Sequence, residues 1–249
     1  MRLKVIACEI LFRELSFLAA KSPNVIDVTF LPKGLHDVGC ERMRSALNVA
    51  VESVEEQRYD AIVLGYALCN GGVVGIKAGA IPIVIPRAHD CITLFLGDKD
   101  KYLEFFYSHP GTYFQTVGWL ERGGDITQIG LTENISEKSV TIPFLNCSYD
   151  ELVAKYGTAN AEYLWSELKQ MRHYSQMVFI ETGIEPGDNF ELQTKRNAEE
   201  RGWQFEKITG NLDLLRRLLD GNWDDGDFLV LQPGESICFS YDDSIIAAR

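Results

Sequence analysis

Three cysteines fall where a short apolar run gives out: Cys8 after LKVIA, Cys69 after AIVLGYAL and Cys91 after IPIVIPRAHD. If those runs are parallel strands of one sheet, all three thiols reach its carboxyl edge, where open α/β sheets bind ligands. A single cysteine is most often a small buried hydrophobe. Three at one edge make a candidate metal site, because soft metals take thiolates and three of them leave a coordination position open. His89 beside Cys91 is a candidate fourth ligand or acid/base.

The segment IPRAHDCITLFLG is the most specific of the three. Arg87, His89, Asp90 and Cys91 stand together between two apolar stretches, a costly place for polar groups without a task. Asp90 is a candidate catalytic carboxyl, or a cap for the helix that follows. In GYALCNGGVVG, the residues Asn70, Gly71 and Gly72 follow Cys69; such glycines let backbone approach a ligand and leave N–H groups free for an anion. With Arg87 they are the candidate cofactor-binding residues. The segment lacks the Lys-Ser/Thr of a P-loop and the spacing of a dinucleotide fingerprint. His36, after the second apolar run, is a third catalytic candidate, paired at i, i+4 with Cys40 if that segment is helical. At the first strand-to-helix junction the helix dipole is expected to lower the pKa of Cys8. Glu14 reads as a solvated helix position or a distant partner of the site, His109 as a surface loop residue, His173 as a helix-end residue, and Cys147 and Cys238 as structural.

The elements that would position these groups alternate. LKVIA, VIDVTFL, AIVLGY and IPIVIP read as strands, and 9–21 and 38–56 as helices, the second with Met43, Leu47, Val51 and Val54 on one face. That pattern predicts an α/β fold with a mostly parallel sheet flanked by helices. Residues 1–110 form the N-terminal α/β unit with the Cys/His site. Residues 111–147, rich in Gly and Thr, read as an irregular or hairpin connection. Residues 148–249 form a C-terminal α/β unit that extends the sheet or makes a second lobe. It opens on a capping box, Ser148 with Glu151, whose helix runs to about His173. The strands QMVFIET, WQFEKI and DFLVLQP follow, with helices near 190–201 and 211–219 between them.

Composition narrows the class. A net charge of −12 and a pI near 4.8 oppose a general role in binding nucleic acid or an anionic membrane. No apolar run approaches the ~20 residues of a membrane span, and the expected location is the cytoplasm. Six cysteines without a CxxC pair suit free thiols or ligands gathered from distant segments better than a disulfide framework or a zinc ribbon.

The combination of IACEILFREL, GYALCNGGVVG, IPRAHDCITLFLG, GTYFQTVGWL and DLLRRLLDGNWDDGDFLVLQPGESI resembles a domain family of unknown function found in methanogens and anaerobic bacteria. The resemblance spans nearly the whole chain. It implies a setting near corrinoid-dependent methyltransferases, hence one-carbon metabolism, and assigns no catalytic residue. The expected function is a metal-dependent enzyme of anaerobic one-carbon or sulfur metabolism, a transferase-like catalyst of methyl or sulfur transfer to or from a small-molecule substrate. Its cofactor would be an iron–sulfur cluster or zinc held by Cys8, Cys69, Cys91 and His89, with a corrinoid reached only through a partner such as a corrinoid protein or methyltransferase. Two alternatives stay open. One is a metal-free cysteine enzyme: Cys69-Asn70 resembles the cysteine turn of cofactor-independent amino-acid racemases, which set two thiols on facing lobes, although their second Cys-Thr-His signature is missing here. The other is a non-catalytic binder of a corrinoid protein.

Overall fold

The computed structural model describes residues 1–36, 39–122, 149, 153–154, 157–158, 160–162, 174–187 and 189–249. The apolar runs at its start are strands: β1 (Arg2–Cys8), β2 (Val25–Leu31), β3 (Ala61–Gly65) and β4 (Ile83–Pro86). All four are parallel, in the order β2-β1-β3-β4. The chain leaves β1 for β2 on one side and returns to β3 on the other, which puts a topological switch point between β1 and β3.

Helices cover both faces. Helix α1 (Phe12–Ala19) follows a 3-10 turn at Glu9–Leu11, so the helical reading of 9–21 divides into two pieces. Its Leu15 packs beside Gly65, where a Cβ would stand 2.5 Å from that of Ala7; only glycine allows strands and helix to meet this closely. Helix α2 (Cys40–Glu52) buries Met43, Leu47 and Val51, the face its spacing predicts. Its C-terminal end covers Lys4 and Ile6 on the other side of β1, since alternate strand residues face opposite ways.

After β4 come α3 (Cys91–Leu96) and α4 (Lys99–Ser108), capped by Asp90 and Asp98. Next are strand β5 (Thr112–Gln115) and helix α5 (Val117–Arg122). The remainder of the expected connection and the helix expected to end near His173 lie largely outside the described residues. Strand β6 (Gln176–Glu181), helix α6 (Asn189–Arg201), strand β7 (Gln204–Thr209) and helix α7 (Asp213–Asp220) follow. Strands β5, β6 and β7 form a second, parallel sheet.

The C-terminal region answers both of its expectations at once. Strand β8 (Phe228–Leu231) extends the first sheet as the antiparallel neighbour of β4, while β6 and β7 belong to the second sheet. A short hairpin, β9 (Ile237–Phe239) with β10 (Ile246–Ala248), closes the chain and has no counterpart in the sequence reading.

The second sheet meets the first unit through its carboxyl ends. After β5, α5 presses on the 9–11 turn, where a Cβ on Gly118 would stand 1.7 Å from the carbonyl oxygen of Ile10. Arg13 makes a two-pronged ion pair with Glu121, and Arg122 lies 4.1 Å over the Phe12 ring. After β6, Thr182 donates to Glu14 at 3.2 Å; after β7, the Asn211 N–H donates to the Phe95 carbonyl at 2.8 Å. Among the described residues no helix is long and apolar enough to cross a membrane.

Candidate functional site: three thiols at the switch point

Cys8 is the last residue of β1 and is 2% exposed. Cys69 opens a 3-10 turn just beyond β3 and is 7% exposed, with a φ of 46°. That left-handed value is uncommon for a residue with a Cβ, and such strain concentrates at functional sites. The N–H of Cys69 donates to the carbonyl of His89 at 3.1 Å, tying the second thiol turn to the third. Cys91 is the first residue of α3 and is partly accessible. The strand order β1-β3-β4 therefore brings the three segments to one edge, with Cys8 and Cys69 flanking the switch point.

The electrostatics correct one expectation. Burial pushes the Cys8 thiol up to about 12, against a smaller lowering by a hydrogen bond from the backbone of Ile10. Desolvation outweighs any gain from the short 3-10 turn, so the thiol is a reluctant acid and not an activated one. Burial raises Cys69 and Cys91 as well; Cys8 raises Cys69 further, and Asp90, Cys69 and Cys8 raise Cys91. They share one environment. Among the described residues, no group of three or more His, Cys, Asp or Glu side chains is placed to hold a metal ion, so the expected set of Cys8, Cys69, Cys91 and His89 is not assembled as ligands.

The groups around the thiols divide by role. Asp90 is the cap that its position allows: its Oδ1 accepts the N–H groups of Ile92 at 3.0 Å and Thr93 at 3.4 Å, and its Oδ2 accepts the Tyr102 hydroxyl at 2.7 Å. Its pKa is raised because burial outweighs these bonds. His89 is exposed at the rim, its ring 6.5 Å from that of Tyr102, and joins no metal-holding group with the thiols. Arg87, expected to bind a cofactor, is a clamp instead: its guanidinium donates to the carbonyls of Asp225, Phe228, Ser244 and Ile246. The donors Nε and Nη1 are spent on holding the C-terminal segment to β4.

Gly71 and Gly72 serve packing as they stand. A Cβ on Gly71 would meet the Phe239 ring at 2.8 Å, and one on Gly72 the Met43 sulfur at 2.4 Å. The side chains of Asn70 and His36 lie outside the described residues; the backbone of His36 closes a 3-10 turn at Lys33–His36, and Cys40 opens α2. Cys147 and His173 also lie outside them. Cys238 sits in β9 with its sulfur 3.4 Å from the Ala247 carbonyl, and His109 caps α4 at the surface, stacked on Phe105.

Two buried groups differ from what their sequence context suggests. Tyr66, directly after β3, is 1% exposed with a hydroxyl that has no partner among the described residues; in AIVLGY it reads as a core aromatic. Glu14 is 1% exposed, not solvated, and burial raises its carboxyl to about 7. Lys33, whose charge slightly lowers the pKa of Cys8, lies 3.8 Å over the Trp119 ring of α5, and its backbone N–H donates to Glu9 at 2.8 Å.

Neither a curated protein nor a solved structure matches the chain. A family described as a protein of unknown function, DUF1638, matches residues 30–219, a span that holds Cys69 and Cys91 and begins beyond Cys8. By the length of that match, the chain belongs to the DUF1638 family.

Proposed function

We propose that Cys8, Cys69 and Cys91 hold a polynuclear thiolate-ligated centre, an iron–sulfur cluster with one metal position left open. What supports this reading is three thiols raised by burial at one edge of the sheet, with Cys8 acting on Cys69 and both acting on Cys91, although the described residues form no ready-made metal-holding group. A cluster takes each cysteine on a different metal atom, and three cysteines leave one of its metal positions open. Thiols held protonated by burial suit this role, because metal binding displaces their protons and recovers the cost of desolvation. When bound, such a centre supplies a Lewis-acidic site or a one-electron carrier. Asp90 and Tyr102 fix the turn that carries Cys91.

The family resemblance to proteins encoded near corrinoid-dependent methyltransferases adds methyl or sulfur transfer as the reaction class, in the cytoplasm of an anaerobe, with a corrinoid protein as partner. A metal-free racemase-like enzyme is the weaker reading. Cys8 and Cys69 both come from the first sheet, while that chemistry takes its two thiols from facing lobes.

The test is anaerobic purification followed by iron, zinc and sulfide analysis with an absorption spectrum. Iron and sulfide in the wild type, lost in Cys69→Ala and Cys91→Ala while unfolding stays cooperative, support the reading. Zinc alone replaces the cluster by a mononuclear site. Wild-type protein without metal, or full occupancy in the cysteine variants, refutes it.

A further inference from the structure

Lys4 is a cation in the middle of a central strand, and the fold gives it no carboxylate. It stands in β1 between β2 and β3, opposite Asp27 and Ile62 in register. Asp27 is engaged elsewhere: its Oδ2 accepts the Tyr59 hydroxyl at 3.0 Å and lies 3.6 Å from the Arg2 Nε. The half-buried Lys4 ammonium donates instead to the Thr29 hydroxyl at 2.8 Å, and among the described residues it makes no ion pair. An ammonium has three donors, so two remain unspent, and the Thr29 hydroxyl keeps its own proton to donate.

Both side chains line a cavity. About 220 Å³ of space lies between this face of the sheet, with Lys4, Ile6 and Thr29, and the end of α2, with Ala50 and Val54. The volume is below the ~300–1,000 Å³ of pockets for drug-sized ligands and suits a small metabolite. The surrounding charges select among anions. Arg58, which also lines the cavity, is taken by Glu55 at 3.5 Å, and Glu55 together with the carbonyl end of α2 adds negative potential. A dianion such as phosphate meets that repulsion, whereas a carboxylate on a short hydrocarbon tail sets its single charge at Lys4 and its tail against Ile6, Ala50 and Val54. We infer that this cavity binds a small aliphatic monocarboxylate, held by Lys4 and Thr29. The site needs no metal and stands whether or not the thiols hold a cluster.

The experiment titrates the full chain with sodium butyrate at constant ionic strength, read by amide chemical shifts and thermal melting, with inorganic phosphate and butylamine as comparison probes. Saturable binding in the millimolar range or tighter is expected, with shifts gathered at residues 4–6, 29 and 50–59 and a melting temperature that rises in step. Lys4→Met should weaken butyrate about ten-fold or more. Ala50→Phe, which fills the cavity from α2 and leaves Lys4 in place, should abolish binding. Wild type that shows no saturable butyrate binding overturns the inference, as do shifts located elsewhere or unchanged binding in Lys4→Met. Phosphate bound as tightly as butyrate would make this a general anion site, and butylamine bound in preference a cation site; either result overturns the monocarboxylate assignment.

Discussion

Replacing Glu14 by glutamine should remove a large part of the protein's loss of stability between pH 4.5 and 8. Glu14 is 1% exposed in α1; its Oε1 accepts from Thr182 at 3.2 Å and its Oε2 has no partner among the described residues. Its pKa is raised from 4.5 to about 7, chiefly by burial, with the backbone and Thr182 hydrogen bonds lowering it, Glu185 across the junction adding to the rise and Arg13 opposing it. A raised carboxyl means that the folded state holds the proton more tightly than the unfolded chain. The associated stability is complete below the unfolded value of 4.5 and declines as pH rises through about 7. At about 1.4 kcal/mol per unit, the rise from 4.5 to about 7 corresponds to about 3 kcal/mol. Glutamine keeps the acceptor but adds an unsatisfied N–H, so its absolute stability carries a constant penalty and the slope is the quantity to read. Urea unfolding of wild type and Glu14→Gln at intervals across that range gives the difference directly, with other titrating groups cancelling. The wild type should lose about 3 kcal/mol more than the variant. Parallel curves would refute the burial argument, and a steeper variant would reverse its sign.

Three further outcomes follow from the same packing. In metal-free protein at pH 8, iodoacetamide should label the partly accessible Cys40 and Cys238 well before Cys8, whose thiol burial holds near 12, and before Cys69; peptide mass mapping over time reads the order, and early labelling of Cys8 would contradict it. Gly118→Ala sets a Cβ 1.7 Å from the Ile10 carbonyl and should destabilise the contact between the two sheets far more than Gly226→Ala, where the nearest atom is a side-chain oxygen at 3.2 Å; thermal melts compare them. Arg87→Met removes donors to the carbonyls of Ser244 and Ile246, so amide exchange over 236–249 should accelerate about ten-fold or more, while residues of β1 and β3 exchange as in wild type.

Much of the first sheet was legible because its information is local. VIDVTFL matches β2 residue for residue, AIVLGY and IPIVIP contain β3 and β4, and the spacing of Met43, Leu47 and Val51 names the buried face of α2. Continuous apolar runs identify strands covered on both sides, and helical spacing identifies a one-sided helix, without reference to anything distant. The Asp90 cap was readable on the same ground, since its partners are two and three residues away. Placing Cys8, Cys69 and Cys91 at one edge followed from the alternation itself.

Whatever depended on distant partners waited for the tertiary structure. DFLVLQP reads as a strand, but only the fold makes β8 the antiparallel neighbour of β4, because pairing is decided by the surfaces left over after the other strands have docked. Arg87 looks like a ligand-binding cation until residues 225–246 bring their carbonyls to it. Glu14 occupies an ordinary helix position until the loop after β6 meets it, and the thiol of Cys8 reads as ordinary until the fold buries it. Ionisation is set by the solvent removed and the charges brought near, and at Glu14 part of both comes from Thr182 and Glu185, far along the chain. The sequence determines which side chains reach the sheet edge; the fold decides which of them lose water there, and with it their chemistry.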